Sequence, residues 1–294
     1  IAKVEWKPRW GELRLSNMIK DREDWCISRQ RIWGVPIPIF YAEDNEPILD
    51  QEVINHVSKL FEEFGSNIWY QKEAIELLPK GYTNPHSPNN LFTKEEDTMD
   101  VWFDSGTSFN ILNGKQSDIY LEGSDQYRGW FNSSLINSVA TRGYAPYKKV
   151  VSHGFVLDGE GQKMSKSLGN VIDPNKVSSV HGADVFRIWA ATVDYEGDVR
   201  LSEDLLKQAS ESYRKIRNTF KYMLGNLFDF DKNHDYIGYS MRGKINRVMT
   251  LKLINVVNEV LKYYEEFNFE RVVRTIMPFV INDLSAFYLD FTKD

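Results

Sequence analysis

Short apolar runs separated by one helical segment dominate the middle of this 294-residue sequence. Runs rich in β-branched and aromatic residues begin at Val101, Ile119 and Lys149, and helical spacing covers about 129–141. A strand, a helix and a second strand in this order form a crossover, which requires a parallel sheet with right-handed connections. Because ligands bind such sheets beyond the carboxyl ends of the strands, we expect the functional residues to follow these runs.

The rest of the chain is organised around this α/β segment. Two prolines within 34–41 exclude a fully paired central strand and favour an edge strand. We predict five segments: a return segment at 1–41, a small insertion at 42–97, the second half of an α/β domain at 98–170, a connecting segment at 171–203, and the first part of a helical domain at 204–294.

Helical periodicity is clear in two of these segments. In the insertion, apolar residues from Val53 to Phe64 predict a helix that Gly65 closes, and a polar loop follows at 79–90. After about residue 203 strand patterns end. We expect one long helix to bury the apolar face formed by Ile245, Val248, Met249, Leu253, Val256, Val257, Val260, Leu261 and Tyr264. Its predicted core partner is a second helix with Val272, Val273, Ile276 and Phe279.

Composition restricts the classes of function. A net charge of −6 and a pI near 5.5 argue against a protein that coats nucleic acid, so an RNA partner requires a local basic surface. With Cys26 as its single cysteine, the chain has no internal disulfide and no cysteine-rich zinc site, which fits a reducing, cytoplasmic environment. Without a run of about 18 apolar residues, we expect no membrane span.

The stretch Asp158-Gly-Glu-Gly-Gln-Lys-Met-Ser-Lys-Ser-Leu-Gly-Asn170 is the most specific in the chain. Its glycines loosen a loop that presents two lysines, Lys163 and Lys166, separated by Met164 and Ser165. Mobile ammonium groups suit a polyphosphate, because attack on the α-phosphorus of ATP shifts negative charge onto phosphate oxygens and pyrophosphate. The alternative is a solvated basic loop.

A second polar cluster, Leu121-Glu-Gly-Ser-Asp-Gln-Tyr-Arg-Gly-Trp-Phe131, forms a strand-to-helix turn. Glu122 is a candidate to hold an α-ammonium group, and Asp125 and Gln126 are candidates for the same amine or a ribose. Gly123 permits close approach of a ligand to the backbone. In the alternative interpretation, Asp125 caps the helix and Glu122 faces water.

These motifs together resemble the class I aminoacyl-tRNA synthetases. Lys163-Met-Ser-Lys-Ser167 matches the second signature of that class, and 121–131 resembles the adenylate-binding element of the isoleucine enzymes. Two further segments match the isoleucine type, Trp102-Phe-Asp-Ser-Gly106 and Trp25-Cys-Ile-Ser-Arg-Gln-Arg-Ile-Trp-Gly34. Phe109 departs from the family, which more often has histidine there.

The resemblance implies a Rossmann-like catalytic half, a small insertion and the start of an anticodon-binding helical bundle. It implies activation of isoleucine with ATP and Mg²⁺ and transfer to tRNA(Ile) by a monomeric parent enzyme. Residues that the resemblance places around ATP are Lys163, Met164, Ser165, Lys166, Ser167, His153 and Gly154. Those placed around the aminoacyl adenylate are Glu122, Gly123, Asp125, Gln126, Trp102, Asp104 and Ser105.

The first class I signature, His-Ile-Gly-His, does not occur among the five histidines. We therefore expect the remainder of the same polypeptide, with the first catalytic half and the editing domain, to be required for activity, and the chain alone to be inactive. Two alternatives remain: a valine or methionine synthetase, and a non-catalytic tRNA-binding paralogue.

Other features have less specific interpretations. His153 either lines the nucleotide site or makes a satisfied polar contact. Arg214, Arg217 and Lys221 share a helix face that either contacts tRNA phosphates or is merely solvated. We expect five tryptophans to be core or interface anchors rather than stacking platforms, namely Trp25, Trp33, Trp102, Trp130 and Trp189.

Overall fold

The computed structural model describes residues 1–293, and the chain divides into two compact units, Ile1–Val151 and Ser152–Asp294. The strands up to residue 153 are β1 Glu5–Lys7, β2 Ser28–Arg29, β3 Phe40–Tyr41, β4 Pro47–Ile48, β5 Thr93–Lys94, β6 Thr98–Met99, β7 Ser117–Gly123 and β8 Tyr147–His153. The helices of the first unit are α1 Trp10–Lys20, α2 Gln51–Phe64, α3 Ile68–Gln71, α4 Ala74–Leu77, α5 Val101–Gly106 and α6 Trp130–Arg142. Short 3-10 turns cover Ser108–Leu112 and Ser124–Tyr127.

The central sheet of the first unit has the order β1-β8-β7, and β1 pairs with β8 in parallel, with Trp6 opposite Val150. Helix α6 connects β7 to β8, so the predicted α/β crossover and parallel sheet are confirmed. Its aromatic core includes Tyr127, Phe131 and Tyr147, which are almost completely buried. The Tyr147 hydroxyl donates to the Phe131 carbonyl oxygen at 3.0 Å, which fixes α6 against β8.

The expected strand at Val101-Trp-Phe is wrong, because these residues begin helix α5. Asp100 caps this helix by accepting a hydrogen bond from the Trp102 backbone N–H at 3.2 Å. A run of three apolar residues is too short to show whether its periodicity is that of a strand or of a helix. Here the cap by Asp100 favours the helix.

Polar residues fill the contact between α5 and α6. Gly106 lies against Ser133 and Asn137, and a Cβ at that glycine would be within 3.0 Å of both residues. Asn132 is also buried, and its Oδ1 accepts a hydrogen bond from the Arg22 guanidinium at 3.0 Å. Small and amide side chains thus let the two helices approach closely.

The insertion has a core of its own around the fully buried Trp69. Helix α2 confirms the predicted helix, and Gly65 ends it with a positive φ of 78°. The predicted edge strand is wrong, because the two-residue β3 lies in the middle of the sheet β4-β3-β5. Pro36 and Pro38 precede β3, so neither proline interrupts its hydrogen bonds.

The second unit contains the strands β9 Val156–Leu157 and β10 Val199–Arg200, which pair in parallel. Its helices are α7 Pro174–His181, α8 Ala183–Thr192, α9 Glu203–Gly225, α10 Lys244–Glu265 and α11 Phe269–Pro278, and α11 continues as a π-helix over Phe279–Leu289. The largest core cluster here centres on Val185, Trp189 and Leu206.

The expectation that the apolar face of α10 packs in a core with the following helix is confirmed for part of the face and wrong for the rest. Met249 is buried, whereas other residues of the face are exposed, namely Val248, Leu253, Val257, Leu261 and Tyr264. On the buried side, Met249 and Val256 of α10 lie in one apolar cluster with Ile276 of α11 and with Phe279 and Val280 of the π-helix.

One helical stretch, Phe269–Leu289, is long and apolar enough to cross a membrane, with a mean hydropathy of 1.3. This rests on length and composition alone and is weak evidence for a span. The stretch carries ion pairs from Arg274 to Glu270 at 2.5 Å and from Asp283 to Lys252.

Candidate functional site

Asp100 connects two of the sequence motifs in the first unit. Its Oδ2 accepts hydrogen bonds from the Trp25 indole N–H at 3.0 Å and the Arg29 guanidinium at 2.6 Å. Its Oδ1 accepts the Trp102 N–H, as described above. Since the residue is only 5% exposed, all three donors converge on a nearly buried carboxylate. The motifs at 25–34 and 102–106 are therefore fixed to each other.

Gly129 joins the second of these motifs to the turn after β7. A Cβ at Gly129 would lie 2.6 Å from the Gln126 Oε1 and 2.8 Å from the Trp102 ring. The Trp130 indole N–H donates to the Ser105 carbonyl oxygen at 2.9 Å. The structure thus brings together the predicted residues Trp102, Ser105 and Gln126.

Of the helix-cap alternative, the cap by Asp125 is wrong, whereas the exposure of Glu122 to water is confirmed. At the start of α6, the Trp130 backbone N–H donates to the Gln126 Oε1 at 3.0 Å rather than to Asp125. Asp125 and Glu122 are exposed, and Gly123 is buried with its N–H directed at the Glu122 Oε1 at 3.3 Å. The Asp125 Oδ2 accepts a long hydrogen bond from the Gln126 amide at 3.4 Å, so each carboxylate has one protein donor and is otherwise exposed to solvent.

Asp104 has an unusual environment in the same cluster. Burial, followed by the nearby charge of Asp100, raises the pKa of the Asp104 carboxyl group above its ordinary value.

The prediction that the tryptophans are core or interface anchors is confirmed for Trp130 and Trp189, which pack in core clusters, whereas a core position is wrong for Trp33 and Trp102. Trp189 is buried in the core of the second unit, whereas Trp33 is 91% exposed and Trp102 is 42% exposed. Trp25 and Trp130 are half-buried and make the hydrogen bonds described above. Phe109, the departure from the family pattern, is buried under the Arg142 guanidinium, 4.3 Å from its ring centre.

In the second unit, the lysine loop starts directly after β9. We use this name for residues 158–170. Lys163 forms an antiparallel bridge with Leu157, and Met164 packs against the core of the unit. The side chains of Lys163 and Lys166 are exposed, and the Lys163 ammonium lies 5.1 Å from the centre of the Phe155 ring.

Two residues at the ends of the lysine loop hold its backbone. The Asp158 Oδ1 accepts the N–H groups of Glu160 at 3.0 Å and Gln162 at 2.7 Å. Its Oδ2 accepts from the Asn170 Nδ2 at 2.8 Å, and the Asn170 Oδ1 accepts the Ser165 N–H at 2.9 Å. These hydrogen bonds lower the pKa of the Asp158 carboxyl group, and the one from Asn170 has the largest effect.

His153 and Gly154 have structural contacts at the end of β8. The His153 Nδ1 lies 2.8 Å from the Gly154 carbonyl oxygen, and only a protonated nitrogen donates there. A Cβ at Gly154 would lie 2.2 Å from the Gly197 carbonyl oxygen, so glycine is required by the neighbouring backbone. Ser167 is exposed, and its Oγ lies 3.1 Å from the Ser165 Oγ.

The predicted basic face on α9 is exposed at all three positions, Arg214, Arg217 and Lys221. Arg214 forms an ion pair with Glu211 at 2.5 Å, which reduces the positive charge available at that position. The described residues contain no group of three or more metal-ligating side chains placed to hold a metal ion.

Sequence reasoning missed Arg29, Asp100, Asp158 and Asn170. The last two flank the glycine-rich stretch, and aspartate and asparagine at loop ends are typical of side chains that bind backbone N–H groups. Asp100 directly precedes an apolar run, which is a helix-cap position. These local signals were present, but the partners 71 and 75 residues away in sequence were not visible.

Comparison with known proteins defines the class. The family described as tRNA synthetases class I (I, L, M and V) matches residues 1–202, and the anticodon-binding domain of tRNA ligase matches residues 246–294. The chain belongs to the class I tRNA synthetases of this group, which confirms the resemblance of its motifs.

Among individual proteins, the chain is similar to isoleucine--tRNA ligases. It is 60% identical to that of Onion yellows phytoplasma over 99% of this chain and 33% of the relative. Identity to the isoleucine--tRNA ligase of Acholeplasma laidlawii is 61%, over 100% of this chain and 33% of the relative. The chain thus spans about a third of the length of these relatives.

Solved structures support the fold. A LeuRS from Agrobacterium radiobacter K84, in a ternary complex with tRNA and LeuAMS, has a TM-score of 0.67 at 21% identity and covers 92% of this chain and 38% of that one. A methionyl-tRNA synthetase from Mycobacterium tuberculosis, in complex with methionyl-adenylate, has a TM-score of 0.64 at 16% identity and covers 98% and 48%.

Proposed function

We propose that this chain is part of a cytoplasmic, monomeric isoleucine--tRNA ligase. In the first step, an isoleucine carboxylate oxygen attacks the α-phosphorus of ATP, and the bond to pyrophosphate breaks. In the second step, a hydroxyl group of the tRNA(Ile) terminal ribose takes the aminoacyl group, and AMP leaves. The observation that carries the proposal is the lysine loop, which exposes two ammonium groups on a fixed backbone beside a strand end.

Lys163 and Lys166 act as the catalytic cations in this proposal. They stabilise the charge that develops on the phosphate oxygens and on departing pyrophosphate, and no protein nucleophile is needed. Ser165 and Ser167 offer hydroxyl groups to the nucleotide, and Met164 supplies an apolar contact. His153 and Gly154 complete the ATP-binding set at the end of β8.

The aminoacyl adenylate is held by the cluster in the first unit. Glu122 and Asp125 are exposed carboxylates suited to an α-ammonium group, and Gln126 offers an amide to the ribose. Trp102 supplies an apolar wall because 42% of its surface is exposed. Gly123, Asp104 and Ser105 complete this set.

Mg²⁺ enters as part of the substrate MgATP, since charge on the phosphates requires a counter-ion during transfer. The helical bundle meets tRNA through phosphate contacts on α9. Arg217 and Lys221 are the principal candidates, and Arg214 contributes less because Glu211 pairs with it. We propose the same five segments for the chain as the sequence predicts. They are the return segment 1–41, the insertion 42–97, the second catalytic half 98–170, the connecting segment 171–203 and the start of the helical domain 204–294.

ATP–pyrophosphate exchange by the full-length gene product tests the proposal, with isoleucine, valine, leucine and methionine compared. We expect selective exchange with isoleucine and a loss of at least about 100-fold in Lys166→Ala. Lys176→Ala is the matched control, because this exposed lysine lies on α7, outside the loop. The isolated 294-residue chain is expected to show no exchange.

Other outcomes identify the alternatives. Preference for valine or methionine would assign the chain to another member of the same class. No exchange from a folded full-length protein that still binds tRNA would favour the non-catalytic paralogue.

A further inference from the structure

Asp158 and Asn170 lie at opposite ends of the lysine loop and bind each other across it. The Asn170 amide uses both of its ends: Oδ1 accepts the Ser165 N–H at 2.9 Å, and Nδ2 donates to Asp158 at 2.8 Å and to the Lys163 carbonyl oxygen at 3.3 Å. The Asp158 carboxylate in turn accepts hydrogen bonds from the backbone N–H groups of Glu160 and Gln162. We call this arrangement the Asp158–Asn170 clamp.

The clamp fixes the short backbone segment between the two lysines. Lys163 is bound through its carbonyl oxygen, and Ser165 is bound through its N–H group. Met164, between them, packs against the core of the unit. All three residues that precede Lys166 are therefore anchored, while the two ammonium groups stay exposed.

The clamp is connected to the β9–β10 strand pair rather than to another loop. Lys163 bridges to Leu157 in β9, and β9 pairs with β10. The Ser165 Oγ also accepts the Leu168 N–H at 3.3 Å, which folds the second half of the loop back on itself. Positions of the lysine side chains thus depend on a continuous series of contacts from the strand pair through Asp158 and Asn170.

We infer that Asp158 and Asn170 are positioning residues that set the placement of Lys163 and Lys166 on the phosphates. The inference rests on the proposed function, and it assigns both residues an effect on ATP use without any contact with ATP. Because a misplacement of about 1 Å costs roughly 100-fold in rate, loss of the clamp slows pyrophosphate exchange by about that factor. Use of isoleucine is left unchanged, since the aminoacyl candidates belong to the other unit.

Asn170→Asp in the full-length protein is the sharpest single test. The new carboxylate keeps the size of the side chain and an acceptor for the Ser165 N–H. It loses both donor contacts of Nδ2 and places a negative charge against Asp158. We expect kcat for exchange to fall roughly 100-fold and the KM for isoleucine to stay within about twofold.

A double variant separates positioning from a general loss of structure. In Asp158→Asn with Asn170→Asp, an amide at 158 donates to a carboxylate at 170, so the bond across the loop is restored. The contact with the Lys163 carbonyl oxygen stays lost. We expect recovery of at least about tenfold of the lost kcat, because neighbouring residues in one network are not additive. Asn175→Asp is the matched control, since its side chain lies outside the clamp, at the start of α7.

Trypsin provides a readout that does not depend on activity. The clamp binds the Lys163 carbonyl oxygen and the Ser165 N–H, so we expect slow cleavage after Lys163 and Lys166 in the wild type. We expect Asn170→Asp to accelerate cleavage there at least about tenfold and the double variant to reverse this, with cleavage after Lys176 unchanged, since local opening governs proteolysis.

The outcomes are distinguishable. If wild-type exchange proceeds but Asn170→Asp matches the wild type in both kcat and cleavage, the clamp is refuted and the proposed function stands. Faster cleavage with unchanged kcat also refutes the positioning role. If the wild type shows no exchange, the proposed function fails, and the assigned role of the clamp in ATP use fails with it.

Discussion

Replacing Asp100 by alanine removes three contacts of one nearly buried carboxylate. The helix cap on α5 contributes about 1 kcal/mol to the free energy of unfolding. The hydrogen bond from Trp25 contributes about 1 kcal/mol, and the bond from Arg29 contributes about the same after allowance for solvent, since the Arg29 side chain is 37% exposed. We therefore expect Asp100→Ala to destabilise the first unit by about 3 kcal/mol.

Urea unfolding followed by tryptophan fluorescence measures this change selectively. Of the 8 tryptophans, only Trp189 lies beyond Val151, so the signal reports mainly on the first unit. With a slope of about 2 kcal/mol per molar urea, a loss of about 3 kcal/mol lowers the midpoint by about 1.5 M. Asp100→Asn keeps a capping oxygen and loses the charge, so its midpoint should fall about half as far.

Asp118→Ala is the matched control because it also removes an aspartate bound to a basic residue. Asp118 pairs with Lys148 at 2.7 Å, but both side chains are largely exposed. We expect no measurable change of the midpoint there. If Asp100→Ala unfolds at the same urea concentration as Asp118→Ala, the buried carboxylate does not stabilise the motifs it joins, and the reasoning is wrong.

Two further predictions concern single contacts. Gly154→Ala should destabilise the second unit by about 1–3 kcal/mol in calorimetry, because its Cβ meets the Gly197 backbone, whereas Gly197→Ala, with open space around it, should be neutral. The hydrogen bond to Asp44 raises the pKa of His86 above 6.5, so the stabilisation from this pair is present below 6.5 and lost as pH rises through the raised pKa. His86→Gln should remove that dependence when melting temperatures at about pH 6 and about pH 9 are compared.

Sequence patterns predicted the elements whose information is local. Helices α2 and α6 and strand β8 have clear periodicity and clear ends, and they form where expected. Val101-Trp-Phe failed because three apolar residues fit either a strand or a helix. The prediction that the whole apolar face of α10 is buried failed for a different reason. Periodicity shows which side of a helix is apolar, but not which segment covers it.

The residues of the candidate site were also predicted where the information is local and missed where it is not. The lysines were found because their spacing and glycine context are visible in one short stretch. Asp158 and Asn170 were part of that stretch, yet their mutual hydrogen bond depends on how the loop folds back. Arg29 and Asp100 are 71 residues apart, and nothing in a single sequence relates them. Contacts between distant residues therefore required the three-dimensional structure.

The polar contact between α5 and α6 has a practical consequence for producing the protein. Asn132-Ser-Ser134 matches the acceptor sequence for N-linked glycosylation. In the fold, Asn132 is only 3% exposed and its side-chain oxygen is bound by Arg22, so oligosaccharyltransferase cannot reach it. A chain sent through a eukaryotic secretory pathway would receive the sugar before folding, and α6 would then have no room to pack. Expression in the cytosol of the host avoids glycosylation of Asn132.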